Sequence, residues 1–431
     1  MELKKYKLGE LIDVTRGASL SGEYYSTEGE YIRLTCGNFD YKNNCFKENT
    51  SKENLFYTGD FREEFLLEKD DIITPLTEQA IGLLGSTARI PDSGKYIQSQ
   101  DIALIRCKPG KIDANFCFYL ISSPLVRQQL SAAAQQTKIR HTSPDKIKDC
   151  TVWIPDLDNQ RKIGKLLYDI DQKIAINRQI NDNLEAMAKQ LYDYWFVQFD
   201  FPDKNGRPYK SSGGKMVWNE KLKREIPEGW DDCNLECYLK IKNGRDHKHL
   251  ADGPYPVYGS GGEMRRVNEF LYSGESVLIP RKGSLNNILY VNEDFWTVDT
   301  MFYSEMKNLH SAKFVFYSIK DIDFTRLDSG TGVPSMTSTT LYAIRTLHPN
   351  QDILIKFDNI VTPLFRGMKL LSNEISRLTK QRDELLPLLM NGQASINYHL
   401  SAYSGRMTNI GAKNDEREIY PRRPFESRGR T

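Results

Sequence analysis

LIKFDNIVTPLFRGMKLLSNEISRLTKQRDELLPLL, residues 354–389, carries apolar side chains at Leu354, Phe357, Val361, Leu364, Met368, Leu371, Ile375, Leu378, Leu385 and Leu389, in alternating steps of three and four. Only Arg382 interrupts the series where another apolar residue is due. This spacing is that of a coiled-coil seam. A second stretch, Gln160 to Trp195, keeps the rhythm through Ile163, Leu166, Ile170, Ile174, Asn177, Ile180, Leu184, Met187, Leu191 and Tyr194. Asn177 and Arg382 are then polar residues on apolar seams, positions that often fix register at some loss of stability. Either stretch could instead be an amphipathic helix packed on its own core. At 1.5 Å per residue, however, each would be roughly 54 Å long, far beyond the ~11 to 12 residues of an ordinary helix. Two such seams need each other, or a partner.

The remaining composition sets bounds. With 431 residues, 27% charged and 39% hydrophobic, the chain should form at least two domains. No apolar run reaches the ~18 to 20 residues of a spanning helix, and the opening MELKKYKLGELIDV lacks the apolar core of a signal peptide. A soluble, cytoplasmic protein without a membrane partner is expected. Seven scattered cysteines suit a reducing compartment. The charge of +2 balances 59 basic against 57 acidic residues, so any nucleic-acid surface must be local.

Met1 to Pro155 reads as strand-rich, with short runs at Tyr31-Ile-Arg-Leu-Thr, Asp71-Ile-Ile-Thr and Asp101-Ile-Ala-Leu-Ile-Arg. A helix is expected at Asn115 to Ala134, then a polar, locally basic loop, a last strand at Thr151-Val-Trp-Ile, and Asp158 as N-cap of the first long helix. Phe196 to Trp230 has turn and linker chemistry. Asp231 to Pro349 then repeats the first domain. Pro75 to Pro280 (205), Asp101 to Asp299 (198), Phe116 to Phe314 (198) and Pro155 to Pro349 (194) keep nearly constant separations, the mark of an internal duplication. In the second long helix, Thr362-Pro363 resembles a fresh helix start, Pro387 should disturb the last turn, and Asn391-Gly392 is a natural stop.

Sites of chemistry are few. Tyr255-Pro-Val-Tyr-Gly-Ser-Gly-Gly lacks the Gly-Lys-Ser/Thr ending of a nucleotide loop and reads as a tight turn. Cys233, Cys237, His247 and His249 miss zinc-site spacing, because one residue separates the histidines where ~3 to 5 are usual. No methyltransferase, Walker or His-Glu-x-x-His motif occurs, and Pro91-Asp92 is not followed by a nuclease Glu-x-Lys. No catalytic and no metal residues are expected. The basic stretches around Lys138, Arg140, His141 and Ser143, at Arg265 and Arg266, and at Arg281, Lys282 and Ser284 place cations beside small polar residues that can approach phosphates and base edges. Singly each also reads as a solvated loop. Their recurrence in both copies, with Ser335 in the second counterpart, favours DNA contact.

Several stretches together resemble the specificity subunit of type I restriction-modification enzymes: Leu184-Glu-Ala-Met-Ala-Lys-Gln-Leu-Tyr-Asp-Tyr-Trp-Phe-Val-Gln-Phe-Asp-Phe-Pro, Arg224-Glu-Ile-Pro-Glu-Gly-Trp, the Tyr255 run, Ser276-Val-Leu-Ile-Pro-Arg-Lys-Gly-Ser-Leu-Asn and Leu378-Thr-Lys-Gln-Arg-Asp-Glu-Leu-Leu-Pro-Leu-Leu. The resemblance runs from about Lys5 to Ile396. It implies an α+β protein of two similar target recognition domains, separated by two long helices packed as an antiparallel coiled coil. The expected limits are 1–157 and 231–349 for the domains, 158–196 and 350–396 for the helices, 197–230 for a connector and 397–431 for a disordered tail. It also implies that each domain reads half of a split DNA target, with no catalysis in this chain. Two modification (methyltransferase) subunits and the restriction subunits would dock on the helices, whose expected seam and docking residues include Ile170, Asn177, Leu184, Leu371, Leu378 and Arg382. S-adenosylmethionine, ATP and Mg would belong to those partners, with no cofactor in this chain. The alternatives are a specificity component of a fused methyltransferase-nuclease system and a coiled-coil scaffold without DNA function.

Overall fold

A computed structural model describes residues 2–78, 83–133, 140–327, 334–394 and 396. The chain divides into two compact units, one formed by residues 1–170 with 381–431 and the other by residues 171–380. Lys138 and the 397–431 tail, both singled out in the sequence, lie outside the described residues.

In the first unit a four-stranded antiparallel sheet runs in the order Ala88–Arg89, Ile72–Pro75, Ile102–Cys107, Ile12–Arg16. Its central strands alternate little and are buried on both faces, as Ile72, Ile73, Ile102, Ala103, Leu104 and Ile105 show. One face packs on the helix Ala114–Ile121 and the start of the first long helix, the other on a smaller core of Leu34, Phe39, Leu67 and Tyr96. In the second unit the sheet has six strands, ordered Leu239–Asn243, Met301–Met306, Tyr272–Pro280, Leu289–Thr297, Asp252–Gly259, Gly262–Val267.

The duplication extends to the pairing of several strands. Lys4–Lys7 pairs with Thr151–Ile154 as Asp231–Asn234 pairs with Arg345–His348. Ile12–Arg16 and Leu239–Asn243 each pair antiparallel with a strand from much later in their unit, Ile102–Cys107 and Met301–Met306. Both end at a glycine that no other residue could replace without backbone movement. A Cβ on Gly17 would sit 2.2 Å from the Gln98 carbonyl oxygen, and one on Gly244 would sit 2.0 Å from that of Val298. The short helices Pro144–Lys148 and Ser338–Tyr342 are capped alike, with Ser143 Oγ accepting from the Lys146 amide and Thr337 Oγ1 from the Thr340 amide.

The long helices span Leu157–Tyr192, continued by a π turn at Asp193–Val197, and Gln351–Met390. Within the second unit they run antiparallel: Lys173 meets Glu374 at 2.6 Å, a Cβ on Gly367 would lie 3.1 Å from Leu184 Cδ1, and the Trp195 and Phe357 rings are 5.9 Å apart. Within the first unit Ile163, Leu166 and Leu167 share a core with Leu385, Leu389 and Met390. Ile170, Leu184 and Leu371 are half-buried on these seams, and Leu378 is buried.

Several expectations need correction. Ile180, Met187 and Tyr194 are exposed; the first helix instead turns Asn181, Ala188, Tyr192 and Trp195 inward. Counting large apolar residues picked the wrong stripe because small Ala188 and polar Asn181 occupy the true one. The N-cap is Asp156, whose carboxylate accepts from the Asn159 amide at 2.9 Å, and not Asp158. The expected helix at 115–134 is two, Ala114–Ile121 and Pro124–Ala133, broken where Pro124 cannot continue the ladder. Thr362-Pro363 starts nothing: the second helix passes through it and through Pro387, then stops before Gly392 at φ +70°. Residues 197–230 are no linker, since Phe199, Phe201, Ile226 and Trp230 are buried in the second unit's core and Met216–Asn219 pairs with Arg224–Pro227.

Candidate nucleic-acid interface

Both domains end their sheet in the same lattice of backbone hydrogen bonds. In the second, the strand Tyr272–Pro280 runs into Arg281, whose amide donates to the Thr300 carbonyl at 2.8 Å while its own carbonyl accepts from Met336 at 2.8 Å. Lys282 bridges to Ser335, and the Gly283 amide donates to the Pro334 carbonyl. In the first, the Leu76 amide donates to the Asp101 carbonyl at 2.8 Å, and its carbonyl accepts from Thr142 at 2.9 Å. Thr77 and Glu78 then pair with His141 and Arg140. The frame therefore equates Leu76 with Arg281, Thr77 with Lys282, His141 with Ser335, and Asp101 with Thr300. That last pairing corrects the Asp101–Asp299 alignment by one residue.

The side chains on this frame differ. Arg281 lies with its guanidinium 5.7 Å above the Phe302 ring, and neither it nor the exposed Lys282 forms an ion pair among the described residues. Exposed Ser284 opens the adjoining turn, where the Asn287 side chain donates to the Ser260 carbonyl at 2.9 Å. Ser260 itself sits in the Gly259–Gly262 hairpin turn, so the Gly-rich run is a strand connection. In the first domain the frame borders a cleft of ≈ 640 Å³ whose lining includes Thr35, Cys36, Thr77, Asp101 and His141. Burial pushes the Cys36 thiol up, partly offset by its hydrogen bond with Thr77 Oγ1 at 3.2 Å, and the charge of Asp101 adds to the rise.

Other residues singled out in the sequence are committed elsewhere. Arg140 is paired with buried Glu78 at 3.2 Å and donates to Ser131, Arg265 is paired with Asp252 at 2.8 Å, and Arg266 with Glu263 at 2.8 Å. Ser143 is a helix cap. These residues shape the loops; their charges are partly spent within the fold. Cys233 lies in the strand Asp231–Asn234, and His247 in the loop after the strand Leu239–Asn243. Among the described residues no group of three or more His, Cys, Asp or Glu could hold a metal ion, and no helix is long and apolar enough to cross a membrane. Sequence reasoning missed Thr77, Asp101 and Thr300 as site residues. They carry no basic signal, and only the repeat, aligned one residue differently, would have brought them to the frame.

The two units thus present, on one duplicated backbone frame, two different sets of polar loops, the class of arrangement expected of a protein with two recognition modules. Residues 1–186 match the family model described as type I restriction modification DNA specificity domain. Over that part the chain is similar to type I restriction-modification specificity subunits. It is 25% identical over 318 residues to the type I restriction enzyme MjaIX specificity subunit of Methanocaldococcus jannaschii, covering 66% of this chain and 69% of that one. It is 22% identical over 382 residues to the HindI specificity subunit of Haemophilus influenzae, covering 70% and 82%. In fold it resembles the crystal structure of a type I restriction-modification S subunit from M. genitalium, with a TM-score of 0.63, 18% identity, and coverage of 90% of this chain and 96% of that chain.

Proposed function

We propose that this chain is the DNA sequence-recognition subunit of a type I restriction-modification enzyme, reading a bipartite target with one domain per half-site. The observation that carries this reading is the duplicated loop frame, the same backbone ending in different polar side chains, as two readers of different sequences require. The long helices act as the spacer between half-sites, which in duplex DNA recur at about one turn, ~34 to 36 Å.

The same helices dock two methyltransferase subunits and, through the assembly, the restriction subunits. Ile176, Ile180, Met187 and Tyr194 support this: they form an apolar stripe along the first helix, with Met187 55% exposed, beside a groove lined by Leu191, Tyr194 and Gln198. The chain does no chemistry itself. S-adenosylmethionine, ATP and Mg act in the partners, and adenine methylation requires the base to leave the stack. The assembly works in the cytoplasm, where the host DNA lies. Mapping methylated adenines in cells that carry the complete system tests the reading: a two-part motif with a fixed gap is expected, and a continuous motif, or none, would overturn it.

A further inference from the structure

Resting on the DNA-reading function above, we propose that the two domains read their half-sites with opposite hydrogen-bonding polarity from one duplicated frame. Asp101, with Thr77 and His141 beside it, accepts from a base amino group in the first half-site. Arg281 and Lys282 donate to guanine-type acceptors in the second.

The frame fixes which positions correspond. Asp101 and Thr300 supply the carbonyls that receive the Leu76 and Arg281 amides, so these residues stand at one place in two copies of a backbone. The carboxylate of Asp101 is matched by a hydroxyl at Thr300, and the cations Arg281 and Lys282 of the second domain stand where the first has Leu76 and Thr77. The lining of the ≈ 640 Å³ cleft in the first domain carries the half-buried carboxylate of Asp101, whose oxygens receive no protein donor among the described residues, together with the cations Arg33 and Lys52. Arg33 is stacked 3.7 Å over the Tyr25 ring and donates to the Asn54 carbonyl, and Lys52 is exposed. An ionised carboxylate only accepts, so a base edge that satisfies it must donate, as cytosine N4 and adenine N6 do in the major groove.

In the second domain Thr300 replaces the carboxylate, and the neighbouring Asp299 forms no ion pair with Arg281 or Lys282. A guanidinium and an ammonium only donate, and guanine O6 and N7 are the acceptors that suit them. Exchanging the targets would set a carboxylate against O6 and N7, or a guanidinium against an amino group. The frame thus rejects the wrong half-site as well as accepting the right one.

The test is selection of duplexes from a randomised pool by the full chain, alone and with its co-purified methyltransferase subunits. Wild type should yield a gapped motif. Asp101→Asn, nearly isosteric at a side chain with no protein donor, should keep the wild-type melting temperature yet lose about tenfold or more discrimination at one base of one half only. Arg281→Gln should do the same in the other half. Replacing guanine by 7-deazaguanine should weaken binding through the Arg281 half and not through the Asp101 half. Thr77→Val provides a second variant on the first frame and should relax the same half as Asp101→Asn. A wild-type gapped motif that Asp101→Asn leaves unchanged, or relaxes in the Arg281 half, would overturn the polarity assignment alone. A wild-type pool with no motif would overturn the DNA-reading function and this proposal with it.

Discussion

Lys313 keeps its ammonium within the second unit with 3% of its side chain exposed, held by Asp358 at 2.8 Å and Glu275 at 2.7 Å, with His310 on the other Asp358 oxygen at 2.8 Å. Such a charge is tolerable only because its donors are taken up. Burial pushes the Asp358 carboxyl up, but the hydrogen bonds and charges of Lys313 and His310 outweigh it and leave the group below its usual range. Because the folded value is the lower one, the contribution is complete above the unfolded carboxyl pKa of ~3.9 and is lost as pH falls through the folded value. Asp358→Asn should therefore cost about 3 kcal/mol at pH 7 in urea unfolding. It should also lose less additional stability than wild type between pH 5 and pH 3. In the second unit, Lys282→Ala should leave the slope of log affinity against log salt near that of wild type, because its ammonium meets a base acceptor; a slope lowered by about 1 would place it on a phosphate instead. These side chains were visible in the sequence as charges, but which were spent on internal partners was not. Arg265 and Arg266 looked as available as Arg281 until the fold placed Asp252 and Glu263 beside them.

At the level of elements, the helices rest on two kinds of contact. Asn177 donates to Glu374 at 3.0 Å, and Lys173 joins the same carboxylate, so one polar knot fixes where the two helices meet inside the second unit. Asn177→Ala should cost about 1 kcal/mol in thermal or urea unfolding. Further along, Phe196 is fully buried among Trp230, Phe314 and Phe357, with ring centroids 4.8 to 5.9 Å away. Phe196→Ala should cost about 3 to 5 kcal/mol, far more than any single seam leucine that is half-exposed. The outward stripe makes the opposite prediction. Ile180→Glu with Met187→Glu should leave the melting temperature close to wild type and abolish co-purification with the methyltransferase subunits. Retained co-purification would place docking elsewhere. The heptad count found both helices and all but the terminal turns of each. It chose the wrong face in the second half of the first helix, because a period marks where apolar residues recur and only the partner surface decides which recurrence is covered.

For the whole molecule, two copies of one frame carrying different side chains predict that recognition is additive in its halves and that each half can be altered alone. Changing the bases of either half-site should reduce selective retardation of duplex DNA by the full complex. Widening the gap with both halves intact should reduce it as well, since register with the reader would be lost.

The chain by itself determined that there are two copies, because 194 to 205 residues separate like positions, and that two long helices join them, because only a helix keeps a 3.5-residue period over ten turns. It also carried the motifs that mark the family. Tertiary structure alone decided that Phe199, Phe201, Ile226 and Trp230 are core, that Asp101 corresponds to Thr300, and which cations are paired inside the fold. The physical reason is one of range. Periodicity and repeats are written in neighbouring or regularly spaced residues, whereas pairing, burial and neutralisation depend on groups brought together from distant parts of the chain.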